Sequence, residues 1–590
     1  MFKPKSIRSS NPQFASDLYS WMRLKCFKNS HVEHQFWFSL SVLVAILYGI
    51  QSIHFALTHP EIIQDDARQH IFWIRRFIDP ELFPQDLIAD YFQSVAPWGY
   101  QTLYWLLAKM GIDPIFAGKI IPAFLGVLTT IYGFKLSLKI LPLPINGLIT
   151  TLLLNQVLWM EDDLISATPR AFIYPFFIAF LYYLFERRLF AVLLIIILQG
   201  LFYPQFVLIY LCLLTIRWVD KASDKFCRKT LLLGTLVAGL ILIHYRLTSN
   251  EFGPIITVAE AKLLPTFNLI EREWGRNLFF PDNPFIYWLL SPRSGILFLG
   301  VLPPLALTGV ALPFLLRRKQ QFPLSYQVSE HLIILRQILL VSVGLFYLSH
   351  LFLFQLHLPN RYIYHSVRVT LVLASGVTLT LLLDQQYRIW TQKIQSGMSR
   401  RQWIKFALIF SLGLILIILP FFPPMATSQR LYRIGKAPEV YQFLLTQPKD
   451  TLVATLSEEA DYLPTFAQRS TLASLEYSQP YHQGYYNPLY QKTIDLIQAQ
   501  YSTNWQTIQQ FIQNYGVDFW LLDRPAFELD YIQDQKLIRD VDQESTVQTQ
   551  LQQGQIPVLS QAIEACSALQ TEQHILLSAS CLEKIAENSP

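Results

Sequence analysis

Long runs of apolar residues, separated by polar segments, recur between residues 36 and 423 of the chain. Residues 36–57 and 406–419 are two clear examples. A bilayer core about 30 Å thick needs roughly 20 mostly apolar residues for each helix that crosses it, and soluble cores rarely contain such a run. The pattern therefore predicts a mainly α, polytopic membrane domain.

The apolar runs predict about eleven transmembrane helices. They lie at residues 36–57, 114–138, 143–160, 169–185, 189–202, 205–218, 230–247, 295–316, 332–356, 362–383 and 404–422. The fifth and sixth runs are short and meet at Tyr203-Pro204-Gln205, where proline removes a backbone hydrogen-bond donor. This pair is two short spans, one kinked helix or a re-entrant hairpin.

The distribution of charge orients these helices. Positive residues accumulate in short cytoplasmic loops, and with a cytoplasmic N-terminus the Lys- and Arg-rich segments fall inside. Eleven spans then leave residues 424–590 outside. This tail has ten Lys or Arg against nineteen Asp or Glu, although the whole chain carries +5. An acidic tail in the cytoplasm, as ten spans require, would oppose the charge bias.

The polar parts of the chain predict its domain organisation. We expect a cytoplasmic segment at 1–35, a membrane domain at 36–423 with large outer loops at 58–113 and 248–294, and an extracytoplasmic domain at 424–590. Within the first loop, the Trp- and Tyr-rich stretch 91–110 predicts a helix in the membrane interface.

The extracytoplasmic domain alternates helical and strand patterns, which predicts a small α/β fold. The helical patterns lie at residues 440–446, 489–500 and 505–514, and the strand patterns at residues 451–456, 469–476 and 518–523. Cys566 and Cys581 both lie in this domain, where an oxidising compartment permits a disulfide. The alternative is two unpaired buried thiols.

Composition narrows the partners and the location. Of the 590 residues, 52% are hydrophobic and 15% are charged, and no basic patch of the kind that binds nucleic acid stands out. The expected surroundings are the lipid bilayer of a bacterial plasma (inner) membrane. We prefer that membrane because no eukaryotic retention signal ends the sequence.

Two acidic clusters are predicted at the outer face of the membrane. Asp65 and Asp66 follow the first span, and Glu161, Asp162 and Asp163 stand where the third span ends. Paired carboxylates in a desolvated site can divide into a base and a group of raised pKa. The spacing from Glu161 to Asp163 also suits oxygen ligands for Mg or Mn. The simpler alternative is that these acids only mark outer helix ends.

A cationic stripe is predicted on the tenth span. Arg361, His365 and Arg368 are spaced i, i+4 and i+7, which places them on one helical face. Charged groups within a span are costly unless they meet a polar cavity or a partner. With Arg170 at the start of the fourth span, they predict a site for a lipid phosphate. Alternatively, Arg361 reaches the interface and Arg368 pairs with a structural acid such as Glu186 or Asp384.

This arrangement resembles the GT-C superfamily of membrane glycosyltransferases, which use polyprenyl-phosphate-linked sugars. The resemblance rests on Asp65-Asp66 after the first span, Glu161-x-Asp163 after the third, Arg361 at a late span and the polar domain after the last span. It implies that an acid of the first outer loop is the catalytic base or a metal ligand. It also implies that the second acidic motif assists and that basic residues hold the lipid phosphate.

The predicted function is therefore transfer of a sugar from a polyprenyl-phosphate donor to a glycan, lipid or protein acceptor outside the membrane. The tail lacks a WWD-type acceptor-recognition motif, a departure from the oligosaccharyltransferase pattern that disfavours peptide N-glycosylation. Two alternatives stay open. The chain could be a transporter or flippase of a lipid-linked or anionic solute, or a non-catalytic scaffold of GT-C type.

Overall fold

The structure is a computed structural model that describes residues 31–220, 223–248, 251–270, 273–274, 276–300, 302–396, 404, 411 and 431–588. Helices dominate the described part before residue 397. They are α1 (His31–Ala56), α2 (Ala67–Ile71), α3 (Leu87–Val95), α4 (Trp98–Lys109), α5 (Pro114–Ile140), α6 (Pro144–Trp159), α7 (Asp162–Ile165), α8 (Ile173–Phe185), α9 (Leu189–Phe202), α10 (Val207–Asp220), α11 (Lys225–Thr248), α12 (Val258–Ala261), α13 (Leu312–Arg317), α14 (Ile333–Leu351) and α15 (Arg361–Ser396).

Five helices are long and apolar enough to cross a membrane, judged by length and composition. They are His31–Ala56, Pro114–Ile140, Lys225–Leu247, Glu330–Leu351 and Arg361–Ile389. The other five of the first ten predicted runs also contain shorter helices, three of them apolar by composition: Pro169–Phe185, Leu189–Phe202 and Pro304–Arg317. The eleventh run, 404–422, lies almost wholly outside the described residues, so the count of eleven stays a prediction.

Two predicted spans are longer than the helices that the structure forms there. The run at 295–316 becomes helical only at Pro304, with a 3-10 helix over Pro304–Ala311 that leads into α13. The consecutive prolines Pro303 and Pro304 explain this, because a residue that precedes proline is disfavoured in helical conformation. The run at 332–356 ends as a helix at Leu351, because Phe352 leaves the helical conformation with φ −114° and ψ 48°.

The chain bends sharply at Pro204, and α9 and α10 are two separate helices. A 3-10 turn over Pro204–Phe206 joins them. The Tyr210 hydroxyl donates to Gln199 Oε1 at 3.0 Å across the bend, a contact that a straight helix with ten intervening residues would not permit. This geometry excludes the single kinked helix among the alternatives.

Helix α15 lies at the centre of the helical part and carries the predicted cationic stripe. It packs against α6, α14 and the 3-10 helix Pro304–Ala311, and most of its apolar length is buried. Close approach to α6 depends on Gly376, because a Cβ there would overlap the side chain of Thr150. The stripe is therefore held inside the protein rather than against lipid.

The C-terminal domain, residues 431–588, is an α/β unit. Its helices are α16 (Pro438–Leu445), α17 (Leu463–Phe466), α18 (Gln483–Gln500), α19 (Trp505–Tyr515), α20 (Leu529–Asp534), α21 (Lys536–Asp540), α22 (Glu544–Gln552), α23 (Val558–Gln561), α24 (Ile563–Cys566) and α25 (Ala579–Asn588). Its sheet contains β5 (Leu452–Thr455), β6 (Ser470–Thr471), β7 (Phe519–Asp523), β8 (Ser567–Gln570) and β9 (His574–Ser578) in the order β6-β5-β7-β9-β8. The first three are parallel, and β9 is antiparallel to both of its neighbours.

Alternation along the central strand gives this domain two apolar layers. Trp520 and Leu522 point to one face of the sheet, whereas Leu521 points to the other and packs with residues of α16. Side chains alternate between faces along a strand, so a buried strand needs cover on both sides. The predicted α/β pattern is thus present, although the strand expected at 469–476 is reduced to Ser470–Thr471.

The first loop, residues 57–113, is attached to the C-terminal domain. Strand β1 (Ile62–Gln64) pairs antiparallel with β4 (Tyr432–Ile434), and in the second outer loop β2 (Leu269–Ile270) pairs antiparallel with β3 (Glu273–Trp274). The stretch predicted as an interfacial helix forms the end of α3 and all of α4. The β1–β4 ribbon places the first loop and the C-terminal domain on the same side of the helical part.

Candidate active site

Acids from two loops converge at the end of the helical part that faces the C-terminal domain. Asp65 and Asp66 lie between β1 and α2, whereas Glu161 precedes α7 and Asp162 and Asp163 form its first turn. The end of α6 therefore places the second acidic motif near Asp66 of the first, although about a hundred residues of chain separate them. Both predicted acidic motifs belong to one cluster.

Arg170 joins the two motifs. Its guanidinium forms ion pairs with Asp66, with Asp162 (Nη2 to Oδ2, 3.4 Å) and with Asp163 (Nη1 to Oδ1, 3.2 Å). The side chain is 15% exposed. Arg170 sits in the 3-10 turn Pro169–Phe172 that leads into α8, so its position is fixed by the start of that helix. Three carboxylates share this one cation.

Asp163 is the most enclosed acid of the cluster. The Tyr174 hydroxyl donates to its Oδ2 at 3.2 Å, and His365 Nδ1 lies 3.3 Å from the same oxygen. Burial by itself would raise the pKa of Asp163, but His365 and Arg368 outweigh it and hold the pKa below its ordinary value. Asp163 is therefore a fixed negative charge.

Glu161 and Arg368 form a second buried pair. Arg368 Nη2 lies 2.8 Å from Glu161 Oε1, and the Tyr364 hydroxyl donates to Glu161 Oε2 at 2.8 Å. The Arg368 guanidinium also stacks 3.7 Å above the Tyr364 ring. Gly300, with φ +66°, packs against this pair, and a Cβ there would overlap both charged groups. Sequence reasoning gave no signal for Gly300.

The structural acids proposed as alternative partners of Arg368 have other partners. Glu186 pairs with Lys139, and Asp384 pairs with Arg388 at 2.9 Å. Arg368 is instead turned toward the acidic cluster. The predicted helical stripe thus points at the predicted acids, with His365 and Arg368 fully buried behind them.

Asp162 differs from Asp163 in the direction of its pKa shift. Its side chain is 27% exposed. Burial and repulsion from Asp163 raise its pKa to about 7, and Arg361 only partly offsets them. A carboxyl group with a pKa near neutrality can exchange protons during turnover.

Arg361 is the least satisfied cation near the acids. Its positive charge acts to lower the pKa of both Asp162 and Asp163. Its Nε is buried and donates to none of the described residues. Arg361 begins α15 at the same end as the acidic cluster, so a guanidinium with free donors lies beside the carboxylates. Such a group is suited to an anion such as a phosphate.

Asp65 turns away from this cluster. It pairs with Arg68 and with Arg433 (Nη2 to Oδ2, 3.0 Å). Burial alone would raise the pKa of Asp65, but the two arginines outweigh it and hold the pKa below its ordinary value. Adjacent residues in the sequence therefore face two different surroundings.

Sequence reasoning missed the surroundings of Arg68. Its side chain is 6% exposed, and it contacts Asp461 at 3.3 Å and Glu476 at 2.7 Å in the C-terminal domain as well as Asp65. The guanidinium also lies 4.9 Å from the centre of the Tyr462 ring. The spacing of Arg68 three residues after Asp65 could have indicated their ion pair. Asp461 and Glu476 are about four hundred residues away, so no local pattern indicates them.

The predicted Mg or Mn ligands do not fit a divalent cation as the structure places them. Hard cations need several carboxylate oxygens directed at one point about 2.0–2.6 Å away. Here the Arg170 guanidinium lies where the oxygens of Asp66, Asp162 and Asp163 converge. Within the part of the chain that the structure describes, no group of three or more His, Cys, Asp or Glu side chains could hold a metal ion.

The cysteine pair lies far from the acids. Cys566 and Cys581 form a disulfide with their Cα atoms 5.4 Å apart, linking the end of α24 to α25. It connects two elements beside β9 and contributes to the C-terminal domain rather than to the cluster.

Comparison with known proteins shows which fold this is. No family model and no curated protein sequence matches the chain. The archaeal oligosaccharyltransferase AglB from Archaeoglobus fulgidus, in complex with an inhibitory peptide and a dolichol-phosphate, superposes with a TM-score of 0.51 at 12% identity, over 84% of this chain and 70% of that one. The crystal structure of the same organism's enzyme tethered to an acceptor peptide gives 0.50 at 12% identity, over 90% and 72%. This chain has the GT-C fold.

The GT-C fold confirms the resemblance predicted from the acidic motifs and the polar C-terminal domain. It also agrees with an integral membrane protein, since five helices of the chain are long and apolar enough to span a bilayer. At 12% identity the likeness establishes the fold. What the chain does is argued from its own site residues.

Proposed function

We propose that this protein is an integral membrane glycosyltransferase. It transfers a sugar from a polyprenyl-phosphate donor to an acceptor at the outer face of a bacterial plasma membrane, with the N-terminus in the cytoplasm and the C-terminal domain outside. One observation carries the proposal: Asp66 and Asp162 lie in one partly open cluster beside Arg361, whose buried Nε meets no acceptor among the described residues. Glycosyl transfer from a lipid phosphate needs a base and a cation for the departing phosphate.

Asp66 is the base in this proposal. It belongs to the acidic cluster, and its side chain is 25% exposed, so an acceptor hydroxyl can approach it. Asp65 is the weaker candidate because Arg68 and Arg433 hold it toward the C-terminal domain. Asp162 is the second candidate, since its pKa of about 7 suits general base catalysis near neutral pH.

Arg361 binds the donor phosphate, and Arg170 completes the cationic side of the site. His365 and Arg368 are positioning residues, because both are buried behind the acids and are bonded to Asp163 and Glu161. Their role is to fix the acids, which narrows the predicted phosphate-binding set from four residues to two. The AglB complex contains a dolichol-phosphate, which supports a lipid phosphate as the donor group.

The reaction is a single inverting displacement. The acceptor oxygen attacks the anomeric carbon while its proton passes to Asp66, and the bond from that carbon to the phosphate oxygen breaks. The bonding electrons leave with the polyprenyl phosphate, whose added negative charge is stabilised by Arg361. The acceptor is a glycan, a lipid or a protein.

A transfer assay with matched variants tests this function. Purified protein is incubated with a panel of polyprenyl-phosphate sugars, and release of polyprenyl phosphate with formation of a glycosylated acceptor is measured. Removing a general base costs roughly 10²–10⁴-fold in rate. We expect that loss in Asp66→Asn with donor binding retained, whereas the neighbouring Asp65→Asn keeps most of its activity.

Three results would count against the proposal. If Asp65→Asn and Asp66→Asn both keep full activity, the base is elsewhere. If no sugar in the panel is transferred but labelled lipid moves between leaflets of proteoliposomes, the protein is a transporter or flippase. If donor binds with neither outcome, the chain is a scaffold of GT-C type.

A further inference from the structure

Arg170 lies within the acidic cluster rather than at its edge. Its guanidinium lies among three carboxylates that come from two separate loops, Asp66 from the first and Asp162 and Asp163 from the second. The side chain is 15% exposed and is anchored by the 3-10 turn that begins α8. An ion placed among these carboxylates would occupy the volume that this guanidinium fills.

Both carboxylate oxygens of Asp163 and of Glu161 already contact other groups of the protein. Asp163 presents Oδ1 to Arg170, and its Oδ2 meets the Tyr174 hydroxyl and His365. Glu161 presents Oε1 to Arg368 and accepts from Tyr364 at Oε2. Metal ligation requires lone pairs directed at the ion, and these lone pairs point at guanidinium, hydroxyl and imidazole groups.

The charge balance gives a divalent cation no advantage. Four carboxylates, Asp66 and the three acids of the second motif, are matched by the three guanidinium groups of Arg170, Arg361 and Arg368, so the net formal charge is −1. A divalent cation added to this set would make the cluster positive in a partly buried place. Burying an excess of charge of either sign is costly.

We propose that Arg170 is the resident cation of this acidic cluster and that the cluster binds no divalent cation. A guanidinium is planar and permanently charged, and it can pair with several carboxylates at once. It therefore holds the two loops together and supplies positive charge without an exchangeable ion. The lack of a divalent-cation site does not depend on the proposed function. Its consequence, transfer that needs no metal, rests on that function.

Metal binding to the full-length protein in detergent tests the proposal without an activity measurement. Mn²⁺ is titrated into the wild type and into Arg170→Met, and free Mn²⁺ is followed by its electron paramagnetic resonance signal. We expect no stoichiometric site in the wild type at micromolar Mn²⁺. In Arg170→Met the three carboxylates lose their cation, and we expect one Mn²⁺ per chain with at least a tenfold gain in affinity.

Two further variants identify the site. Arg170→Lys keeps a positive charge and is expected to resemble the wild type, which controls for a general effect of substitution. Asp66→Asn combined with Arg170→Met is expected to abolish the gained site. One Mn²⁺ per wild-type chain that disappears in Asp66→Asn would overturn the proposal, and so would an Arg170→Met protein that gains no site.

The catalytic consequence has its own measurement. If the wild type transfers sugar, treatment with EDTA is expected to change the rate by less than twofold. A loss of more than tenfold that Mn²⁺ or Mg²⁺ restores would overturn the proposal while leaving the glycosyltransferase function intact. A wild type with no transfer at all would count against the proposed function, and the Mn²⁺ titration would still decide the role of Arg170.

Discussion

Asp65 and Asp66 are neighbours in the chain, yet they contact two different arginines, and each of these arginines contacts three carboxylates. Arg68 contacts Asp65, Asp461 and Glu476. Arg170 contacts Asp66 together with the first two acids of α7. Each arginine thus has three carboxylates around it. The number of charges therefore does not distinguish a structural cluster from a functional one.

The difference lies in how completely each cluster is satisfied. The acids around Arg68 have further partners: Gln69 donates to Glu476, Arg276 lies 3.2 Å from Glu476, and Ser474 donates to Asp461. Gln69 joins the first loop and Arg276 joins the second outer loop to the C-terminal domain, whereas the Ser474 contact lies within that domain. A buried network whose acids each have several partners stabilises one arrangement.

The cluster around Arg170 is less closed. Asp162 keeps 27% of its side chain exposed, and nearby Arg361 has a buried Nε without an acceptor among the described residues. Unpaired donors in a partly buried place indicate a ligand, because leaving them unsatisfied is costly. On this comparison we expect a structural role for Arg68 and propose a catalytic role for the cluster around Arg170.

The largest expected effect separates the two arginines by stability. Arg68→Met leaves three acids without their shared cation, and breaking a buried ion pair costs about 3–5 kcal/mol. We expect a lower melting temperature and faster protease cleavage between the helical part and the C-terminal domain. Arg170→Met is the matched variant, and it should keep the two parts docked. Equal loss of docking in both variants would remove the distinction.

A second, intermediate effect concerns pH. The pKa of Asp162 in the folded protein is raised to about 7 by burial and by Asp163. If the ionised form serves the reaction, the transfer rate should fall about tenfold for each pH unit below 7 and level off above it. The Asp162→Asn variant should lose this inflection, whereas Asp65→Asn should keep it. A flat wild-type profile from pH 5.5 to 8.5 would contradict the role of Asp162.

Stability should respond to the same group in the opposite direction. A carboxyl group whose folded-state pKa lies above its unfolded value of 3.8 favours the folded state when protonated. Its contribution is present below pH 3.8 and is lost as pH rises toward 7. Asparagine carries no charge at any of these pH values. The melting temperature of Asp162→Asn should therefore exceed that of the wild type by a margin that widens from pH 5 to pH 7.5.

The smallest expected effect is at the edge of the Arg68 cluster. Arg433 is 47% exposed and contacts only Asp65 among the acids of the described residues. Exposed pairs contribute about 0–1 kcal/mol, so Arg433→Gln should leave the melting temperature nearly unchanged, more so in high salt. A loss comparable with that of Arg68→Met would show that the β1–β4 ribbon depends on this pair.

Much of the architecture follows from local patterns. The apolar runs predicted helices because a backbone inside a bilayer must satisfy its own hydrogen bonds, and the first ten runs contain helical structure. In the C-terminal domain, the patterns at 440–446, 451–456 and 518–523 correspond to α16, β5 and β7. Strands β8 and β9 were not predicted, since their place is fixed by pairing, of β9 with β7 and of β8 with β9, rather than by their own pattern.

The sequence by itself determined which residues carry charge, and the helical period placed Arg361, His365 and Arg368 on one face of α15. It could not determine which partner each charge meets. Only the tertiary structure decided that Asp65 faces the C-terminal domain and Asp66 faces Arg170. The physical reason is that helical periodicity acts over a few residues, whereas ion pairs join positions far apart in the chain. Their geometry exists only once the loops, α15 and the C-terminal domain have packed.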